Sequence, residues 1–214
     1  MISNIKVLYH SSIRIEDEKI IYIDPFKIER EYGDADSIFI THSHYNHYSP
    51  EDINKIVKKN TIVVCTKDLK DKIENEINCD KNNIIYVEPN KEYKIEDLYF
   101  ETVRAYNLNK QFHPKENNWV GYIIKIGDIK YYIAGDTDIT EDNKKVECDI
   151  AFLPVGGTYT MNYKEAAELA NIIKPKIAIP IHYGGIVGTR EDAEKFIELL
   201  NEDVEGKILM IWKK

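Results

Sequence analysis

Short runs of apolar residues broken by polar punctuation dominate the first half of the chain. Residues 5–9, 13–16 and 20–24 are rich in Ile, Val, Leu and Tyr and read as three strands. Residues 37–41, Ser-Ile-Phe-Ile-Thr, predict a fourth strand. Ser49-Pro50-Glu51-Asp52 then has an N-cap serine with proline at the first helical position, which predicts a helix to about residue 60. Residues 61–65 predict a strand, and Thr66 is placed to cap a charged amphipathic helix through residue 77. The second half repeats the scheme, with strands expected at 84–87, 98–105, 120–126, 129–134 and 149–154, and Gly127-Asp128 as a hairpin turn. Asn162-Tyr163-Lys164-Glu165 has capping-box spacing and opens a helix to about residue 173, which Pro175 stops. A strand at 176–181, a helix at 190–200 capped by Thr189 and a last strand at 207–212 complete the pattern. Many strands with a few helices in each half predict two sheets packed together with helices outside. The 214 residues suit a single domain covering 1–214.

Charge and cysteine content narrow the function. The formal net charge is -8 and the pI about 5.3, which argues against nucleic acid as a partner and leaves a small-molecule substrate. No apolar stretch is long enough to span a bilayer and the N-terminal residues lack a signal-peptide core, so no membrane association is expected. Cys65, Cys79 and Cys148 are isolated and odd in number, which favours a reducing cytoplasmic location over a disulfide framework. A lone cysteine such as Cys148 is more often a small buried apolar residue than a ligand.

Candidate chemistry concentrates at Thr41-His42-Ser43-His44-Tyr45-Asn46-His47. Alternate side chains of an extended segment share a face, so His42 and His44 can grip one cation while His47, past the strand end, faces a second position. Neutral imidazole suits zinc and its first-row neighbours. His113, Asp136 and His182 each fall at a predicted element boundary, where functional residues tend to sit on a rigid scaffold. Any one such histidine is more often a hydrogen-bonded core residue. The ordered set, His-x-His-x-x-His, then His, Gly-Asp-Thr and a strand-end His, is far more specific.

On these motifs the chain resembles the metallo-β-lactamase-fold hydrolases, nearest the ascorbate 6-phosphate lactonase-like branch. Asp24-Pro25, Gly121-Tyr122, Gly135-Asp136-Thr137, Pro154-Val155-Gly156-Gly157 and Pro180-Ile181-His182-Tyr183 match further blocks. The resemblance implies an α/β (α+β) four-layer αββα sandwich. It implies that His42, His44 and His113 hold a first metal, that Asp136 bridges, and that His47 and His182 hold a second. Zinc is the expected cofactor, as one or two ions, with Mn2+, Fe2+ or Ni2+ as other candidates. Asp24 resembles an outer carboxylate that steadies the histidine loop. The family's usual His-x-His-x-Asp-His carries Asn46 in place of the aspartate. That swap exchanges a titratable anion for a neutral amide and should weaken the second metal site.

The implied activity is hydrolysis by a metal-activated water on a small ester, lactone or phosphodiester, with Asp136, Asn46 and His10 in catalytic roles. His10, Lys115 and Tyr159 are candidate substrate contacts. A small phosphorylated lactone or phosphodiester is the first expectation, and a carboxylic lactone or ester the next. The alternative is a metal-binding regulatory or weakly active relative whose second metal site is impaired by Asn46. Gly156-Gly157 reads as backbone shaping, since it lacks the Lys-Ser/Thr ending of a phosphate loop.

Overall fold

The apolar runs of the first half pair into a six-stranded sheet in the computed structural model, which describes residues 2–210. Its strands, in spatial order, are β1 (Ile5–Tyr9), β2 (Ser12–Glu16), β3 (Ile20–Ile23), β4 (Ser37–Phe39), β5 (Ile62–Thr66) and β6 (Ile84–Val87). β1, β2 and β3 are antiparallel neighbours; from β3 to β6 each neighbour is parallel. Parallel neighbours need crossovers, and α1 (Pro50–Ile56) and α2 (Lys70–Glu76) lie in two of them. Ile38, Ile40, Val63 and Cys65 pack with Ile53 and Ile56 of α1 and Ile73 of α2 in one buried cluster. Each such large aliphatic side chain contributes about 1.5–3 kcal/mol on burial. This unit runs to Val87 and takes the chain back at Leu209.

The second unit, Glu88–Ile208, carries a seven-stranded sheet. Its strands are β7 (Glu92–Ile95), β8 (Leu98–Arg104), β9 (Val120–Ile126), β10 (Ile129–Ile133), β11 (Ile150–Pro154), β12 (Ile177–Ile181) and β13 (Glu205–Gly206), adjacent in sequence order. β7 to β10 are antiparallel, and β10 to β13 parallel. β11 and β12 are buried at every position, as strands covered on both faces are. α3 (Tyr163–Ile173) buries Ala166, Ala167, Leu169 and Ala170, and α4 (Arg190–Glu198) buries Ala193 and Phe196. Both predicted caps form as reciprocal capping boxes, Asn162 with Glu165 and Thr189 with Asp192.

Several boundaries differ from expectation for local reasons. α1 stops at Ile56 because Val57 is extended and the Thr61 hydroxyl accepts the Lys58 N–H at 2.9 Å, closing a turn before β5. Thr66 makes no side-chain cap; a 3-10 turn at Lys67–Leu69 precedes α2. β7 was not expected, and its residues alternate between exposed and half-buried as an outermost strand's do. The last strand, expected at 207–212, is replaced by β13 earlier in the chain and an isolated bridge from Val7 to Met210. Positions 211 and 212 lie outside the described residues.

One buried carboxylate joins α1 to the segment after β3. Asp52, 5% exposed, accepts the backbone N–H groups of Lys27 and Ile28, both at 2.9 Å, the Ser49 hydroxyl at 2.8 Å and Lys55 Nζ at 3.0 Å. Burial alone would push its pKa up. The bonds from Ser49, Lys55, Lys27 and Ile28 together outweigh that and hold it below the ordinary carboxylate range. A folded pKa below the unfolded value of about 3.9 means the stabilisation is fully present above that value and is lost as pH falls through the folded pKa. Asp52→Ala should therefore cost about 1–3 kcal/mol near neutral pH, the cost of leaving buried donors unmet. Urea unfolding should show the deficit shrinking as the pH is taken well below about 4; an undiminished deficit there would contradict this account.

Candidate metal centre

The histidine segment leaves β4 and turns at once. The N–H groups of His47 and Tyr48 both donate to the His44 carbonyl oxygen, at 2.9 and 2.8 Å, and Ser49 then caps α1. His42 and His47 are buried and His44 is half-buried. Asp24, just past β3, has almost no exposed surface, and its own N–H donates to the Phe39 carbonyl oxygen at 2.9 Å. Its Oδ1 accepts the Thr41 N–H at 2.8 Å, and its Oδ2 accepts the Thr41 hydroxyl at 2.7 Å. The same Oδ2 lies 2.7 Å from His47 Nδ1, and Thr41 Oγ1 lies 2.9 Å from His42 Nδ1.

These contacts dictate where the imidazole protons sit. A threonine hydroxyl has one proton, here donated to Asp24, so toward His42 the oxygen can only accept. His42 therefore carries its proton on Nδ1. A carboxylate accepts only, so His47 likewise carries its proton on Nδ1. Both rings then offer Nε2 as the donor nitrogen, the arrangement by which a carboxylate orients a metal-binding histidine. His42 Nε2 stands 3.1 Å from His44 Nδ1. Two nitrogens sharing one ion at about 2.0–2.1 Å, with angles of about 90–110°, stand about 2.8–3.4 Å apart. The pair fits that spacing.

The second unit holds a matching set. His113 lies within the loop between β8 and β9, while Asp136 and His182 follow β10 and β12. Asp136 Oδ2 lies 3.2 Å from His113 Nε2 and 3.0 Å from His182 Nε2, and all three are at most 4% exposed. All three belong to the His/Asp cluster that could bind metal. Its backbone is tied down next door. The Thr137 hydroxyl donates to the Tyr106 carbonyl oxygen at 3.0 Å and accepts the Tyr106 N–H at 3.2 Å. Asn107 was not singled out from sequence. Its N–H donates to the His113 carbonyl oxygen at 2.8 Å, and its side-chain amide donates to the carbonyl oxygens of Phe112 and Tyr159 at 2.9 and 2.7 Å. Gly156 shapes backbone, as expected: a β-carbon there would stand 2.4 Å from the His182 carbonyl oxygen.

Strained backbone gathers at the same residues. Nine non-glycine residues among those described have positive φ, and His10, Asp24, His113 and His182 are four of them, at 54°, 46°, 62° and 59°. Such conformations cost about 1–3 kcal/mol each and persist where the surroundings over-determine them.

Four further candidates come from separate segments of the chain. His10 sits fully buried in the turn between β1 and β2. Asn46 is buried, 7% exposed, in the histidine turn. Lys115 is exposed, with Nζ 4.8 Å from the centre of the Tyr106 ring. Tyr159 is half-buried, its ring edge-on to Phe112 at 5.1 Å. Burial pushes the Cys148 thiol up to about 12, which disfavours the thiolate that binds metals. Burial also pushes the Tyr183 phenol up to about 12, so it stays protonated near neutral pH.

The chain is similar to known proteins along most of its length. The sequence pattern of the Beta-lactamase superfamily domain matches residues 4–182, a span that takes in every candidate ligand. A UPF0173 metal-dependent hydrolase of Thermoplasma acidophilum is 31% identical, over 90% of this chain and 89% of its own. Its counterpart in Pyrococcus horikoshii is 29% identical, over 96% of this chain and 95% of its own. A solved structure from Parabacteroides distasonis, assigned as a metal-dependent hydrolase, superposes with a TM-score of 0.83 at 28% identity, over 97% of this chain and 93% of its own.

The hydroxyl of Thr41 gives a direct test. Thr41→Val removes the acceptor for His42 Nδ1–H and a donor to Asp24, and zinc affinity measured by chelator competition should fall about 10–100-fold. Thr41→Ser should recover most of it. Wild-type affinity in the valine variant would contradict the tautomer assignment.

Proposed function

We propose, from the premise that this chain belongs to the UPF0173 family of metal-dependent hydrolases in the β-lactamase superfamily, that it cleaves an ester, lactone or phosphodiester bond in a small molecule. Its fold is the mixed α/β sandwich of that superfamily, with two sheets and few helices. Placement in the ascorbate 6-phosphate lactonase-like branch, suggested by Asp24-Pro25, is part of the same proposal, as is the treatment of 1–214 as one domain.

In this reading His42, His44, His113 and Asp136 hold one divalent ion, and His47, Asp136 and His182 hold a second. The donor set is five imidazoles and one carboxylate, which suits zinc and leaves Mn2+, Fe2+ and Ni2+ as alternatives. A cation held there supplies Lewis acidity, lowering the pKa of water from about 15.7 towards about 7. Asp24 and Thr41 keep Nε2 of His42 and His47 unprotonated for that purpose. Asp136, the one carboxylate in the set, would help to hold both ions. Asn46 offers an amide that can hydrogen-bond but cannot titrate. His10, Lys115 and Tyr159 are assigned to substrate contact. Among the described residues no helix is long and apolar enough to cross a membrane. A cytoplasmic setting with a small-molecule substrate and no nucleic acid completes the proposal, in line with three free cysteines and the acidic composition.

The observation that carries this reading is the buried Asp24–Thr41 network that fixes both proton positions. Asn46 favours a second reading, a regulatory or weakly active relative, because it leaves the second ion without an anionic oxygen from the histidine segment. Zinc titration should show one tight and one weaker ion per chain, and Asn46→Asp should tighten the weaker by at least about tenfold. Unchanged stoichiometry and affinity in that variant would overturn the weak-second-site account. The double variant His42→Ala/His44→Ala should lose both bound metal and hydrolysis of bis-p-nitrophenyl phosphate and simple lactones. Residual hydrolysis equal to wild type would exclude this site as its source.

A further inference from the structure

The loop that leads into His113 holds large apolar side chains in solvent. Leu108 is 58% exposed and Phe112 44%. The loop is nonetheless firmly braced. Besides the three hydrogen bonds of Asn107 described above, the Leu108 N–H donates to Asp138 Oδ2 at 2.9 Å, and Lys110 pairs with the same carboxylate. Phe112 meets the Tyr159 ring edge-on. Both ends of the brace adjoin candidate ligands, since Phe112 precedes His113 and Asp138 lies two residues beyond Asp136. A rigid loop that exposes apolar side chains beside a reactive centre is suited to recognition. Of the two lysines on this loop, Lys110 is paired with Asp138, while Lys115 is exposed with its Nζ 4.8 Å from the centre of the Tyr106 ring. A phosphoryl group would meet only one lysine, Lys115, that is not paired with a carboxylate on this loop.

We propose that Leu108, Phe112 and Tyr159 form the wall that receives the non-reacting part of the substrate, and that this part is an alkyl or aryl group. The preferred substrate class is then a carboxylic ester or lactone with an apolar body, rather than a phosphorylated lactone or a phosphodiester. This assignment rests on the hydrolase reading and sharpens it.

The test is a chain-length series of p-nitrophenyl esters on the zinc-loaded protein, with octanoate binding measured separately by calorimetry. The ratio of kcat/KM for the octanoate ester over the acetate ester should exceed about ten. Leu108→Ser and Phe112→Ser, at matched zinc content, should bring that ratio toward one and weaken octanoate binding several-fold. A wild type that ignores chain length, or that prefers bis-p-nitrophenyl phosphate, overturns the apolar wall while leaving the hydrolase reading intact. Variants that keep the full ratio also overturn it. If no substrate is cleaved at full zinc load, the hydrolase reading fails, and octanoate binding alone decides the wall: weaker in the variants supports it, unchanged refutes it.

Discussion

The carboxylate of Asp24 is the constraint on which the candidate ligands of the first unit depend. It sits at the end of one strand, in a left-handed backbone conformation, and is bonded to the end of the next. Four contacts follow from that single group: the Thr41 backbone, the Thr41 hydroxyl, the His47 ring, and, through the hydroxyl, the His42 ring. A buried anion without partners would be strongly unfavourable. With these partners it becomes a device for setting proton positions on two histidines at once. The chemistry of the segment is thereby decided by a residue outside it.

In the second unit the groups that brace the backbone near the candidate ligands are neutral. Asp136 is bracketed by two imidazoles, and the backbone around it is held by hydroxyl and amide side chains, Thr137 and Asn107. A glycine at 156 lets one strand-end turn approach the His182 carbonyl closely enough to leave no room for a β-carbon. The histidine segment follows β4 and His182 follows β12, two strands buried at every position, while Asp136 follows β10 and His113 lies in the loop after β8. The local backbone strain at Asp24, His113 and His182 is compatible with stability because the surrounding bonds over-determine those residues.

Much of this was legible from residue order. The buried strands stand out because parallel neighbours covered on both faces require unbroken apolar runs, as at Ile150–Pro154 and Ile177–Ile181. The Asn162–Glu165 capping box was readable from spacing and the Thr189 cap from residue type, whereas the return bond from Asp192 was not read. α1 was over-extended because nothing in the apolar pattern marks the Thr61 hydroxyl as the group that ends it. β7 escaped notice because Glu92-Tyr93-Lys94-Ile95 buries little and so carries little pattern. Among the candidate site residues, the histidines and Asp136 stand out in the sequence because imidazole and carboxylate at element boundaries are distinctive. The steadying role expected of Asp24 is matched by its bond to His47. Thr41 and Asn107 carried no such signal: a threonine closing a strand and an asparagine in a loop are ordinary, and their roles come only from what they touch.

The central claim is that Asp24 and Thr41 hold His42 and His47 as Nδ1-protonated tautomers that offer Nε2. Long-range 1H–15N NMR of the imidazole side chains in the metal-free protein near neutral pH reads this directly. The account predicts pyrrole-like, protonated Nδ1 and pyridine-like Nε2 for both residues, with the Nε2 resonances moving when zinc is added. Protonated Nε2 on either ring, or Nε2 resonances that zinc leaves in place, would contradict it.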